Sequence, residues 1–334
     1  LQVLQSIRDT ESASQLLTNV AEKAFEKIWQ AVEYDFVRRH GKFPNSSIVA
    51  IAYGKFGGRE LMPGSDLDLV FVYKHDKTVE LSDGARPLHS TLYFTRFAQR
   101  MCSALSAPTS EGKLYEIDLK LRPSGRIGPV VVEIDGYFEY LRTRAWTWEL
   151  MALTRARPIA GPFEVQGQVS EGIRKILTFI NDKNRLRTDA VAMRKKIIAH
   201  QGDVSMWNIK HRFGGIVDIE FILQFLQLAN AIHREPIFST NSLSALENLA
   251  NAGILAGNAA TSLREAFQFW QWLHFMIRVI GPNYFEKTEL QNRLFKVLVR
   301  HSSFSTIEEV IGEMDFRANA VKKLYYDVFR SNLN

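Results

Sequence analysis

The chain carries two rhythms of apolar and polar residues. Over residues 1–40 apolar positions recur every three to four residues, as at Val20, Ala24, Ile28 and Val32, which predicts a helix ended by Gly41 and Pro44. Ser47 to Tyr53 is an apolar, β-branched run and reads as a buried strand; Asp66 to Tyr73 reads as a second. Between them Gly54 to Ser65 is a glycine-rich turn with room for one short helical turn. Residues 74–87 read as a loop, and Phe94, Phe97, Ala98, Met101 and Leu105 restore helical spacing. Leu114 to Arg122 alternates strictly and stops at Pro123, as a half-buried strand does, and Val130 to Val132 reads as a short further strand.

Beyond residue 133 the period stays helical. Helices are predicted over 135–143, 146–157, 162–180, 185–200, 215–232, 242–252, 260–280, 288–300 and 305–330. The pattern is that of an α+β protein. A mixed-sheet domain flanked by helices is expected over residues 1–160, with 1–40 as its helical lead-in, and an all-α helical bundle over 161–334. Gly161-Pro162 marks the boundary.

Composition narrows the function classes. At 334 residues, with 46% apolar and 23% charged residues, the chain is long enough for two packed domains and is not a disordered one. Cys102 is the single cysteine, so no internal disulfide framework and no cysteine zinc cluster is available; a reducing, cytoplasmic setting is expected. No apolar run approaches the roughly 18 residues that span a bilayer, so no membrane partner is expected. Leu1 stands where an initiator Met would, which points to a piece cut from a longer protein. The net charge is +6, from 42 basic and 36 acidic residues. The basic runs are short (Arg38, Arg39, His40 and Lys42; Arg194 to Lys196) and read as solvated helix faces. No aromatic-basic strip occurs, so a nucleic-acid partner is not expected.

The chemistry is concentrated in GKFGGRELMPGSDLDLVFVY, residues 54–73. Asp66 and Asp68 sit two apart, which in a strand puts both carboxylates on one face, about 7 Å apart along the chain. Two such groups repel each other unless a cation joins them, and Mg²⁺ favours carboxylate and phosphate oxygens. Taken alone, the pair reads more readily as one helix-capping Asp and one solvated Asp than as a metal site. The preceding Gly57-Gly58 lets backbone N–H groups approach phosphate oxygens, with Lys55 and Arg59 beside it and Ser65 closing the turn, although a tight turn alone would also use these glycines. In LYEIDLKLRPSGRIGP, residues 114–129, Glu116, Asp118, Lys120 and Arg122 share one face. Glu116 and Lys120 read as solvated. Asp118 would complete a three-carboxylate cage for two Mg²⁺ ions if its strand lies beside the second one. Arg122 is placed to hold a phosphate in bidentate fashion, with Arg126 a weaker candidate.

These two blocks, with AWTWELMALTRARPIAG (145–161) and IKHRFGGIVDIEFI (209–222), resemble the nucleotidyltransferase domains of bacterial glutamine-synthetase adenylyltransferase, within the DNA-polymerase-β-like superfamily. The likeness spans roughly 170 residues, and the AWTWE block and the PSG after LR are closer to the carboxy-terminal, AMP-adding half of that bifunctional enzyme. The resemblance implies transfer of AMP from ATP to a tyrosine hydroxyl of glutamine synthetase, with pyrophosphate leaving, in the regulation of nitrogen assimilation. It implies Asp66, Asp68 and Asp118 as metal ligands and Gly57-Gly58 as the phosphate turn. It also implies glutamine and a PII-type signalling protein as regulators of the full-length enzyme. Rival readings are phosphorolytic removal of AMP from adenylyl-tyrosine, a noncatalytic nucleotide-sensing module and, more remotely, a nucleic-acid polymerase.

The remaining blocks offer cleft contacts. Trp146 and Trp148 have the spacing of core residues, with Glu149 beside them; Arg155 and Arg157, at the end of the same predicted helix, serve either its dipole or an acidic substrate. Gly214-Gly215 precedes Asp218 and Glu220, acidic residues in a helix's first turn, one of which is expected to face the nucleotide near Lys210 or Arg212. No HExxH or GxSxG motif occurs, and Cys102 has core neighbours, which excludes zinc-protease chemistry and nucleophilic catalysis by serine or cysteine.

Overall fold

The structure, a computed structural model, describes residues 9–179, 182–201, 205–231, 237–280 and 295–330. The chain forms two compact units, one of residues 17–179 and one of residues 180–334 with 1–16.

In the first unit β1 (Ser47–Ala52) is central, antiparallel to both β2 (Leu67–Lys74) and β7 (Arg157–Ala160). The far edge of β2 is shared by two short parallel strands, β5 (Ile117–Asp118) beside its start and β6 (Val131–Glu133) beside its end. β1 and β2 are apolar on both sides because both sides are covered. Ile48, Ala50, Ala52, Leu67, Leu69 and Phe71 pack with α1 (Thr10–His40) and α3 (Ser90–Leu105) in one aromatic-rich core. The opposite face meets α4 (Ile134–Thr143) and α6 (Phe163–Thr178). An exposed hairpin joins β3 (Pro108–Thr109) to β4 (Gly112–Lys113).

Three elements differ from the sequence reading. The inward face of α1 is Ala21, Phe25, Trp29, Val32 and Phe36, one step round from the expected stripe, and Val20 is 54% exposed. Burying three aromatic rings removes more apolar surface from water than burying Val20, Ala24 and Ile28, so the helix turns that way. The strand expected over 114–122 is reduced to Ile117–Asp118. Its extension is cut off by Asp118 itself, whose Oδ1 accepts the Lys120 N–H at 2.8 Å in an Asx-type turn. The helix expected over 146–157 is α5 (Thr147–Leu153), and Arg157 opens β7 instead. Thr154 returns its hydroxyl to the Met151 carbonyl, and Pro158 favours an extended residue before it.

In the second unit every described element is helical: α7 (Lys183–Gln201), α8 (Ile216–Ala229), α9 (Ser242–Asn251), α10 (Gly257–Ile280), a stretch over 295–300 and a last helix, Ile307–Arg330. Residues 1–8, 180, 232 and 288–294 of the predicted helices lie outside the described residues. α8 is apolar almost all round and packs against α7, α9, α10 and the last helix. Among the described residues no helix is long and apolar enough to cross a membrane.

Candidate metal and nucleotide site

The parallel pairing of β2 with β5 sets Leu67 against Ile117 and Asp68 against Asp118. Side chains at paired positions of neighbouring strands project to the same face. Leu67 therefore goes into the core, while Asp68 and Asp118 emerge together, half-buried, with Asp66 exposed just before the strand. One carboxylate oxygen from each of the three lies within 4.8 Å of the others. The separately predicted DxD pair and third carboxylate thus meet at one corner of the sheet.

The turn before the strand is shaped around this corner. The Tyr53 N–H donates to the Asp68 carbonyl at 2.9 Å. Gly54 has a positive φ of 53°, and a Cβ there would sit 2.2 Å from Oδ2 of Asp68. A side chain at position 54 would therefore displace the carboxylate; sequence reading missed this glycine because it weighed the Gly57-Gly58 pair. At Gly57 the constraint is packing: a Cβ would lie 1.9 Å from the Arg155 carbonyl. The short helix α2 (Gly54–Gly57) is held from below by Arg157, whose Nε donates to Gly57 O at 2.9 Å and whose Nη2 donates to Phe56 O at 3.1 Å. Arg157 also pairs with Glu22. The Gly57 and Gly58 N–H groups, expected to meet phosphate oxygens, donate instead to the Tyr53 and Gly54 carbonyls at 2.7 and 3.0 Å, closing the helical turn. Lys55 is half-buried within it, and Arg59 is exposed, 3.9 Å from Glu22.

Several expected contacts have structural partners instead. Ser65 is buried, and its hydroxyl accepts the Met62 N–H at 3.0 Å, closing the turn. Arg122 does not present its guanidinium to a phosphate. It donates to the carbonyls of Leu119 (2.8 Å), Arg126 (3.0 Å) and Gly128 (3.1 Å), because the chain after Asp118 turns back on itself and needs these carbonyls satisfied. Arg155 is buried and paired with Glu60 at 2.6 Å, so it is not a surface clamp. Glu149 is buried, accepting from the Tyr140 hydroxyl (2.9 and 3.0 Å) and the Trp146 N–H (2.8 Å). Trp146, read as core, is 69% exposed at the start of α5, while Trp148 is half-buried.

Two further groups escaped the sequence reading. The Tyr53 and Tyr137 hydroxyls meet at 2.5 Å in the core, and burial holds both phenols well above their ordinary pKa. Lys120, read as solvated, donates its ammonium to Oδ2 of Asp118. The Asp-x-Lys spacing was a signal for that contact, but a longer strand would have kept the two side chains as parallel neighbours.

The second unit places its predicted residues differently. Asp218 is fully buried and held by Arg194, which is 1% exposed, with Nε to Oδ1 at 2.6 Å and Nη2 to Oδ2 at 3.0 Å. The Gly214 N–H adds a third bond at 2.6 Å. Asp218 is therefore a structural anchor with no oxygen turned to a cleft, and Arg194 is no part of a solvated basic face. Lys210 is exposed and Glu220 half-buried. Arg212 pairs with Asp315 and lies over the Trp270 ring.

A mixed sheet with helices on both faces, carrying one carboxylate just before a strand, a second at that strand's start and a third on its parallel neighbour, defines the nucleotidyltransferase class of site. The glutamate-ammonia ligase adenylyltransferase family model matches residues 2–172, about half of the chain, and the chain belongs to that family. A second model, for PII-uridylyltransferase, matches residues 185–322. Similar proteins include the bifunctional glutamine synthetase adenylyltransferase/adenylyl-removing enzymes of Rhodopseudomonas palustris (strain TIE-1), 36% identical over 96% of this chain and 32% of that protein. The enzymes of the same name from Bradyrhizobium diazoefficiens are 35% identical over 93% of this chain and 32% of theirs, and from Brucella suis biovar 1, 41% over 90% and 30%. The chain thus spans about a third of the length of the curated relatives it matches.

Proposed function

We propose that this chain transfers AMP from ATP to a tyrosine hydroxyl of glutamine synthetase, releasing pyrophosphate. The observation that carries the reading is the register pairing Asp68 with Asp118, with Asp66 alongside. Three carboxylates with no imidazole or thiolate among them form a hard donor set suited to Mg²⁺. The Lys120 ammonium already drawn to Asp118 supports the same point, since the corner attracts a cation. Asp66, Asp68 and Asp118 would hold two Mg²⁺ ions. When bound, the ions neutralise charge on the triphosphate and on the attacking and leaving oxygens.

The rest of the work falls to the chain. The turn over residues 54–65 flanks the carboxylates and offers Lys55 and Arg59 to the polyphosphate. Arg157 keeps that turn rigid from beneath. A tyrosine hydroxyl, with a pKa near 10, attacks the α-phosphorus at neutral pH only if its proton is taken up. Asp118 is the carboxylate assigned to accept it, as the new O–P bond forms and the bond to pyrophosphate breaks. Glu149 is spent on its own neighbourhood, accepting from the Tyr140 hydroxyl and the Trp146 N–H at the start of α5, and is assigned no contact with the nucleotide.

The family and the AWTWE and PSG blocks supply the substrate and favour addition over removal; the relatives' printed names carry both activities. The match of the helical unit to PII-uridylyltransferase supports a PII-type protein as a regulator of the longer enzyme; glutamine as a second regulator and a cytoplasmic setting rest on the family resemblance alone. Incubation with glutamine synthetase and ATP labelled at the α or γ phosphate tests the reading. Label from the α position alone should reach the protein. Release of ADP from adenylylated glutamine synthetase and phosphate, with no transfer from ATP, would reverse the assigned direction.

A further inference from the structure

Both oxygens of the Asp118 carboxylate are taken by one residue. The Lys120 backbone N–H donates to Oδ1 at 2.8 Å, and the Lys120 ammonium donates to Oδ2. The two bonds differ in kind. The first belongs to the turn that ends β5 and fixes where the Lys120 backbone sits. The second is made by a flexible stem whose side chain is 55% exposed, against 17% for Asp118, so the ammonium reaches the carboxylate from the solvent side. That contact puts a positive charge on one of three carboxylates whose oxygens lie within 4.8 Å of one another.

We infer that Lys120 is the resident counter-cation of this site: its ammonium and a divalent ion exclude each other at Asp118, and on exchange the ammonium moves to a phosphate oxygen of the nucleotide. The inference rests on the reading that Asp66, Asp68 and Asp118 bind divalent metal. Two cations at one carboxylate oxygen repel. The ammonium is the one that can leave, because water replaces its contact at small cost. It cannot go far, because the Asx-type bond keeps its backbone beside Asp118. The anion then within reach of its stem is the polyphosphate, and a compact ammonium is a good point-charge partner for phosphate. Arg122, two residues further along the chain, is committed to three carbonyls and cannot substitute. Lys120 would thus neutralise the carboxylates before loading and the nucleotide after it.

One substitution should therefore have opposite effects on two ligands. Mn²⁺ binding, followed by its electron paramagnetic resonance signal, should tighten roughly two- to fivefold in Lys120→Gln, the range for loss of a competing partly exposed ion pair. Binding of the nontransferable analogue α,β-methylene-ATP with Mg²⁺, followed by calorimetry, should weaken in the same variant. Lys120→Arg should keep both affinities near wild type. Equal or weaker Mn²⁺ binding in Lys120→Gln overturns the exclusion, and unchanged analogue binding overturns the phosphate contact. Asp118→Asn separates this from the underlying reading: if it binds Mn²⁺ as wild type does, the metal site itself is misassigned.

Discussion

Replacing Asp218 with Asn tests whether a residue expected in the nucleotide cleft is instead part of the helical unit's frame. The carboxylate receives three hydrogen bonds, two from Arg194 and one from the Gly214 N–H, and both partners of the ion pair are essentially without solvent contact. Asparagine keeps the shape but removes the charge and turns one oxygen into an amide nitrogen that cannot accept. The Arg194 guanidinium, which also donates to the His211 carbonyl at 3.0 Å, is then left as an uncompensated buried charge. Breaking such a pair from one side costs about 3–5 kcal/mol. Replacing both members, as Arg194→Met with Asp218→Leu, should recover part of that loss, because the desolvation penalty goes with the charges while the Gly214 N–H and the His211 carbonyl lose their partners. The assay is urea unfolding followed by circular dichroism on the wild type, both single variants and the double variant. A loss under about 1 kcal/mol in Asp218→Asn, or a double variant worse than either single, would refute the reasoning. Mn²⁺ affinity of the folded variant should stay at the wild-type value.

Two other outcomes follow from the same geometry. Gly57→Ala should strongly destabilise the first unit, because its methyl group would lie 1.9 Å from the Arg155 carbonyl, and backbone on both sides must shift; thermal unfolding reads this directly, and a wild-type melting temperature would contradict it. Burial pushes the Cys102 thiol up to about 11. The thiol is then neutral at pH 8, so its reaction with a disulfide reagent should be slow there and accelerate only as pH rises toward 11; rapid labelling at pH 8 would be inconsistent with that environment.

The convergence of the three carboxylates was legible because its signals are local. The two carboxylates, the turn before them and the β-branched run after them lie within twenty consecutive residues, and Ile117 beside Asp118 already showed which way each would face. What escaped depended on partners distant in sequence or on side chains closing on their own backbone. Alternation over 114–122 indicates a strand only if nothing nearby competes for the backbone, and here Asp118 and Arg122 both do. A guanidinium close to a strand-end carboxylate suggests phosphate until three carbonyls are seen around it. Arg194 looked like one charge in a basic run because its partner lies 24 residues further on. Sequence spacing shows which residues share a face of an element; it does not show which of them the fold consumes for its own polar groups.

Whether Asp66, Asp68 and Asp118 converge on divalent metal is read out by the anomalous scattering of Mn²⁺ in crystals of the protein soaked with Mn²⁺ and α,β-methylene-ATP. Anomalous peaks are expected within bonding distance, about 2.0–2.3 Å, of oxygens from all three carboxylates. Metal bound elsewhere, or peaks that leave Asp118 uncoordinated while its strand stays paired with Asp68, would contradict that convergence.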